Sequence, residues 1–150
     1  MTTMHPISMA EFYSWQPTLK LIVHDHARRF AAVELSDSRQ AFAISWRSDT
    51  IEPVLETGSE GETWLGVDQR AACVSSDGRI VASLGLASPL LDIKCFAKCA
   101  AVLCENEAVV FNRDYSIRGI FGFREFPQSL LEKSGGLFVV FEDGHEERIG

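Results

Sequence analysis

The stretch Ala71–Leu84, AACVSSDGRIVASL, constrains the chain most. Two runs rich in Ala and Val flank Ser-Asp-Gly. Apolar runs interrupted by an Asp-Gly turn signal predict a β-hairpin. Looser copies follow along the sequence. FAAVEL enters a turn near Asp37 and AFAISW leaves it. AAVLC and AVVF flank Asn106, and LFVVF and EERI flank Asp143. The pattern predicts a mainly β fold, an antiparallel meander of hairpins arranged as a sandwich, a barrel or partial-propeller-like sheets, with one or two short helices.

Taken in order, residues 1–18 form an N-terminal arm or a short helix. Ser8 followed by Glu11 has capping-box spacing, which predicts a helix over Met9–Trp15. Strands are expected at Leu19–His24, Phe30–Leu35, Ala41–Trp46, Ile51–Glu56 and Thr63–Val67. The arm is expected to cover the edge of the first of these. Thr57–Glu62, TGSEGE, is small and acidic and reads as a mobile surface loop. The segment from Ser88 to Cys104 reads two ways. Leu90–Ile93 and Cys99–Cys104 make two strands, or Ser88 caps a helix that begins at Pro89. After Tyr115–Phe123, Pro127 precedes QSLLEK and Gly135-Gly136 follow. Pro near a start and Gly after an end predict a two-turn helix within Glu125–Ser134.

The length, 150 residues, is that of one domain with a sizeable core. The formal charge is −7, and the closest basic pair is Arg28-Arg29. Clustered Lys and Arg are what displace counterions from phosphate, so nucleic acid and anionic membranes are poor partners. No apolar run reaches the 18 residues of a membrane span. The start lacks a basic segment followed by an apolar core, so a cytoplasmic protein with reduced thiols is expected.

The four predicted turns lie at intervals of 40, 29 and 37 residues. Hairpin-bearing units of this size resemble the blades of β-propeller proteins, roughly 40–50 residues each. The resemblance spans Phe30 to Ile149 and carries no Trp-Asp or kelch Gly-Gly motif. It implies blade-like sheets.

His24-Asp25-His26 is the most ligand-like tripeptide. In a strand His24 and His26 would share a face and could hold a metal with a third ligand such as His5 or His145. Cys95, Cys99 and Cys104 sit among Phe, Ala, Val and Leu, as core thiols do. Ser75 and Ser76 belong to a turn. Glu105/Glu107, Glu142/Asp143 and Glu146/Glu147 read as solvated turn or strand charges. Phe121, Phe123, Arg124 and Phe126 place aromatic rings beside a guanidinium, a composition suited to a protein partner. No set of residues converges on a reaction and no cofactor is expected. The sequence therefore predicts a non-enzymatic, acidic protein-interaction module, neutralising a basic protein partner or self-associating through sheet edges as a homodimer. The alternative is a metal-dependent enzyme built on His24 and His26.

Overall fold

The structure is a computed structural model that describes residues 2–35 and 40–150; the expected turn at Asp37 lies outside them. Its strands group into four mostly antiparallel sheets, and no sheet closes into a barrel among the described residues. Sheet A holds β1 (Thr3–Pro6), β2 (Lys20–Ile22), β3 (Arg29–Glu34) and β4 (Ala41–Trp46). Its order is β1-β3-β4-β2, with β2 parallel to β4. Sheet B is the meander β5 (Val54–Thr57), β6 (Thr63–Val67), β7 (Arg70–Val74) and β8 (Ile80–Gly85). Sheet C repeats it with β9 (Leu90–Cys95), β10 (Cys99–Cys104), β11 (Glu107–Asn112) and β12 (Ile117–Gly122). Sheet D has three strands, β13 (Pro127–Lys133), β14 (Gly136–Phe141) and β15 (Glu146–Arg148).

The sheets pack face to face in chain order. Val33, Phe42, Ile44 and Trp46 of sheet A meet Leu65, Val67 and Val74 of sheet B. Trp64 and Cys73 on the other side of sheet B meet Val102, Val109 and Phe111 of sheet C. Leu103 and Val110 then meet Leu130, Val139 and Phe141 of sheet D. Sheets A, B and C are thus covered on both faces. That is why FAAV, AACV and CAAVLC read as unbroken apolar runs rather than as alternation. Their alanines, such as Ala31, Ala72 and Ala101, are fully buried and let neighbouring sheets approach closely.

The first helix forms where expected. α1 spans Met9–Ser14, with both halves of the Ser8/Glu11 capping box made. It buries Phe12 against Phe30 on the outer face of sheet A. A single 3₁₀ turn, Pro17–Leu19, follows. The preceding arm adds β1 to β3 rather than covering β2. Ser88 to Cys104 takes the two-strand form.

The helix expected within Glu125–Ser134 is a strand, β13. Lys133 pairs with Gly136 across Ser134 and Gly135, both at positive φ (51° and 75°). Two consecutive left-handed residues make the tight hairpin turn whose twist suits paired strands. What looked like a glycine helix stop is that turn. TGSEGE also proves to be a tight turn, closed by Gly58 N–H donating to Glu62 O at 2.9 Å. Glu60 is further tied by an ion pair to Arg113. No helix among the described residues is long and apolar enough to cross a membrane.

Candidate functional site

Strand direction alternates along the meanders, so the connections sort to two ends of the stack. One end gathers residues 23–28, 47–53, 68–69, 86–89, 105–106, 123–126 and 142–145. These connections are stitched from sheet to sheet. Arg47 N–H donates to the Asp68 carboxylate, Leu90 N–H to Asp68 O, and Phe123 N–H to Asn106 O, at 3.0, 2.7 and 2.8 Å. Both groups of residues singled out in the sequence lie at this end.

His24 and His26 fall beyond β2, which ends at Ile22, in a turn rather than a strand. Strand alternation therefore does not align their rings. The turn instead lets His24 Nδ1 accept the His26 backbone N–H at 3.0 Å. His5 lies on β1, paired with Ala32. The two histidines line a cleft of about 380 Å³ with Asp68 and Arg70.

The cysteines are free thiols. Cys95 pairs with Ala100 and packs toward sheet B, whereas Cys99 packs toward sheet D. Burial pushes the Cys95 and Cys104 thiols up to about 12, and Cys73 higher still, so they stay protonated.

The aromatic group has more shape. Ala108 opposes Phe121, and Ala108 belongs to the core between sheets C and D, so Phe121 faces sheet D. It is half-buried there, as is Phe123. Phe123 meets Phe141 edge-on at 5.4 Å. Phe126, 58% exposed, stands outside. The sequence missed what lies beside them. The Asp143-Gly144 turn brings Asp143 and His145 to Glu125, 18 residues away in sequence. One donor atom from each lies within 4.8 Å of the others.

The His145 ring stacks on Phe141 at 4.5 Å and 11°. Its Nδ1 hydrogen-bonds the Asp143 carboxylate and lies 3.7 Å from Glu125. The Asp143 carboxylate also accepts the His145 backbone N–H at 3.0 Å. These bonds hold the Asp143 carboxyl below its usual range. The same hydrogen bond, with the negative charges of Asp143, Glu125 and Glu147, raises His145 above an ordinary imidazole. Clefts of about 270 and 420 Å³ open here and share Glu125. Phe123, Phe141 and His145 floor the smaller, and Glu147 and Arg124 flank it; Phe126, Glu142 and Asp143 line the larger. Oxygen donors around a partly exposed aromatic floor suit a cation: a guanidinium, an ammonium or a metal ion.

No protein-family model matches the chain, and no curated protein matches it. Among solved structures it is similar to a protein of unknown function from Bacteroides caccae, with a TM-score of 0.47 and 13% identity. The match covers 80% of this chain and 54% of that one, so the chain spans about half that protein's length.

Proposed function

We propose that this chain is a non-enzymatic protein-interaction module whose four sheets are blades of a propeller-type arrangement. Its binding surface is the acidic, aromatic-floored cleft between the ends of sheets C and D, and its partner is a basic protein segment. The observation that carries this reading is the convergence of Glu125 and Glu147 with Phe123 and Phe141 around one opening, with Asp143 lining the neighbouring cleft that shares Glu125. An Arg or Lys side chain entering it would meet carboxylates at the rim and the half-buried Phe123 ring below, Phe141 itself being buried beneath the His145 ring. The net charge of −7 favours encounter with such a partner.

A fluorescent hexa-arginine peptide tests this. Binding should weaken steadily as salt rises from 50 to 300 mM, because exposed charges are screened. Glu125→Lys and Glu147→Lys should each weaken it about fivefold, the effect of about 1 kcal/mol per exposed charge contact. A chelator should leave it unchanged, which separates a cationic side chain from a bridging metal ion. Salt-insensitive binding, or binding indifferent to both reversals, removes the proposal.

A further inference from the structure

Sheets A, B and C each have four strands, and sheet D has three. Among the described residues, the place beyond β15 that a fourth strand would take holds none. Along the β14–β15 ladder, Phe141 N–H donates to His145 O and Ile149 N–H donates to Leu137 O, at 2.9 and 2.8 Å. Bonded and non-bonded pairs alternate in an antiparallel ladder. Val139 and Glu147 are therefore a bonded pair, whereas Glu146 and Arg148 turn their N–H and C=O groups away from β14. No strand pairs with that side of β15 among the described residues. A row of unpaired backbone groups is a template for an added strand.

The space beside that edge is already walled. β12, the fourth strand of sheet C, runs along the same side of the stack. The smaller cleft joins Gly122 and Phe123 at its end to His145 and Glu147, and Arg118 on β12 reaches toward Gly150. Phe121 faces sheet D from β12 and is half-buried, beside the side of β15 that no strand covers among the described residues. Glu147 opposes Val139, a residue of the C/D core, so its side chain is on the face turned to sheet C. A residue added opposite Glu147 would point the same way, toward Phe123 and Glu125.

Resting on the acidic-cleft reading above, we infer that the partner enters as an extended segment that pairs with the outer edge of β15. It becomes the fourth strand of sheet D, with a basic side chain opposite Glu147. Net charge favours this occupant over a second copy. Two β15 strands paired antiparallel about Glu147 would set Glu147 against Glu147, with Glu146 facing Arg148 on either side, and would join two chains of charge −7. A basic segment sets opposite charges there.

The test uses an acetylated and amidated seven-residue peptide of alternating Val and Lys. Its binding should slow amide exchange at Glu146 and Arg148 in the full chain. Arg148→Pro removes an N–H that points away from β14 and should weaken binding at least tenfold. Arg148→Ala, which loses only the side chain, should change it less than threefold. A copy of the peptide N-methylated at its valine amides, the ones that face β15 when a lysine opposes Glu147, should not bind the unaltered protein, a result independent of whether the proline variant folds. The strand is overturned if the proline variant and the N-methylated peptide both bind normally. If Glu125→Lys then still weakens binding about fivefold, the cleft survives without the strand; if it too is silent, both fall. No binding at millimolar peptide overturns the inference. So does a dimer, seen by sedimentation, that Arg148→Pro breaks and the peptide leaves intact, because the edge would then belong to a second copy.

Discussion

At the scale of single residues, His145 decides how the cleft behaves with pH. Its charge is favoured by Asp143, Glu125 and Glu147, and Arg124 lines the same cleft. Asp143→Asn keeps an oxygen for the His145 backbone N–H but removes the charge. It should bring the His145 titration, followed by its ring proton shifts, down toward the ordinary value of 6.5. An unchanged titration would deny the pairing. The sign for stability follows from the two directions. The raised His145 contributes fully below its ordinary value and the contribution is lost as pH rises through its folded value. The lowered Asp143 contributes above its ordinary value of 3.8 and is lost as pH falls through its folded value. Binding runs differently. A protonated His145 places a positive charge where the basic partner must sit. Affinity for hexa-arginine should therefore rise with pH through the His145 transition, and His145→Gln should flatten that rise. A profile unaltered in His145→Gln would show that His145 does not face the ligand.

Among the described elements, one turn with Asp at its third position is used three times, and Gly58–Glu62 makes the same backbone bonds with Glu60 in that place. Ser75–Arg79, Asn112–Ser116 and Phe141–His145 share the same bonds. Gly78, Tyr115 and Gly144 donate three residues back, to Ser75, Asn112 and Phe141. Each of the three has φ between 68° and 89°. Asp77, Asp114 and Asp143 each place a carboxylate on the residue two positions on. The hairpin repeat in the sequence is this turn, but its third member is Asp114-Tyr115. Asn106 also closes a hairpin, at the opposite end of sheet C from Asp114. Tyr115 hides the match because a tyrosine stands where glycine is expected. Its ring packs toward Trp64, 6.4 Å away. Strand pattern and the Ser8 cap were legible because each is local. β13 was not, since Pro127, the Leu-Leu-Glu-Lys run and two glycines spell a helix locally, and only pairing with β14 overrides it. The cleft was half legible for the same reason: Phe123 and Arg124 are neighbours in sequence, whereas Glu125 reaches His145 only through the fold. At Gly144 a Cβ would meet nothing within 4 Å, so Gly144→Ala isolates the backbone term. It should destabilise the protein by about 1–2 kcal/mol in urea titration. A neutral result would mean the turn relaxes out of the left-handed region.

For the whole molecule, the stack is limited by how it ends and by how closely its sheets meet. α1 covers one outer face. On the other, Lys133 and Arg148 lie over the Phe138 ring at 5.1 and 6.0 Å, screening it with charged heads and apolar stems. Stacked units need such polar outer faces at their ends. Between the ends, close approach is set by residues with little or no side chain. Gly66 on β6 is the sharpest instance. A Cβ there would lie 2.4 Å from Leu90 Cδ2, 3.0 Å from Ile93 Cδ1 and 3.2 Å from the Arg70 carbonyl. Leu90 and Ile93 belong to β9, so this glycine sets how near sheet C comes to sheet B. Gly66→Ala should destabilise by about 1–3 kcal/mol through overpacking. Adding Leu90→Val withdraws the clashing Cδ2 and should recover part of that loss, whereas Leu90→Val alone should be destabilising by about 1 kcal/mol for the methylene removed. The two substitutions would then be non-additive with a favourable sign, as expected of residues that share one space. Additive losses in the double variant would mean that sheet C does not rest on Gly66, and that the spacing of the stack is set elsewhere.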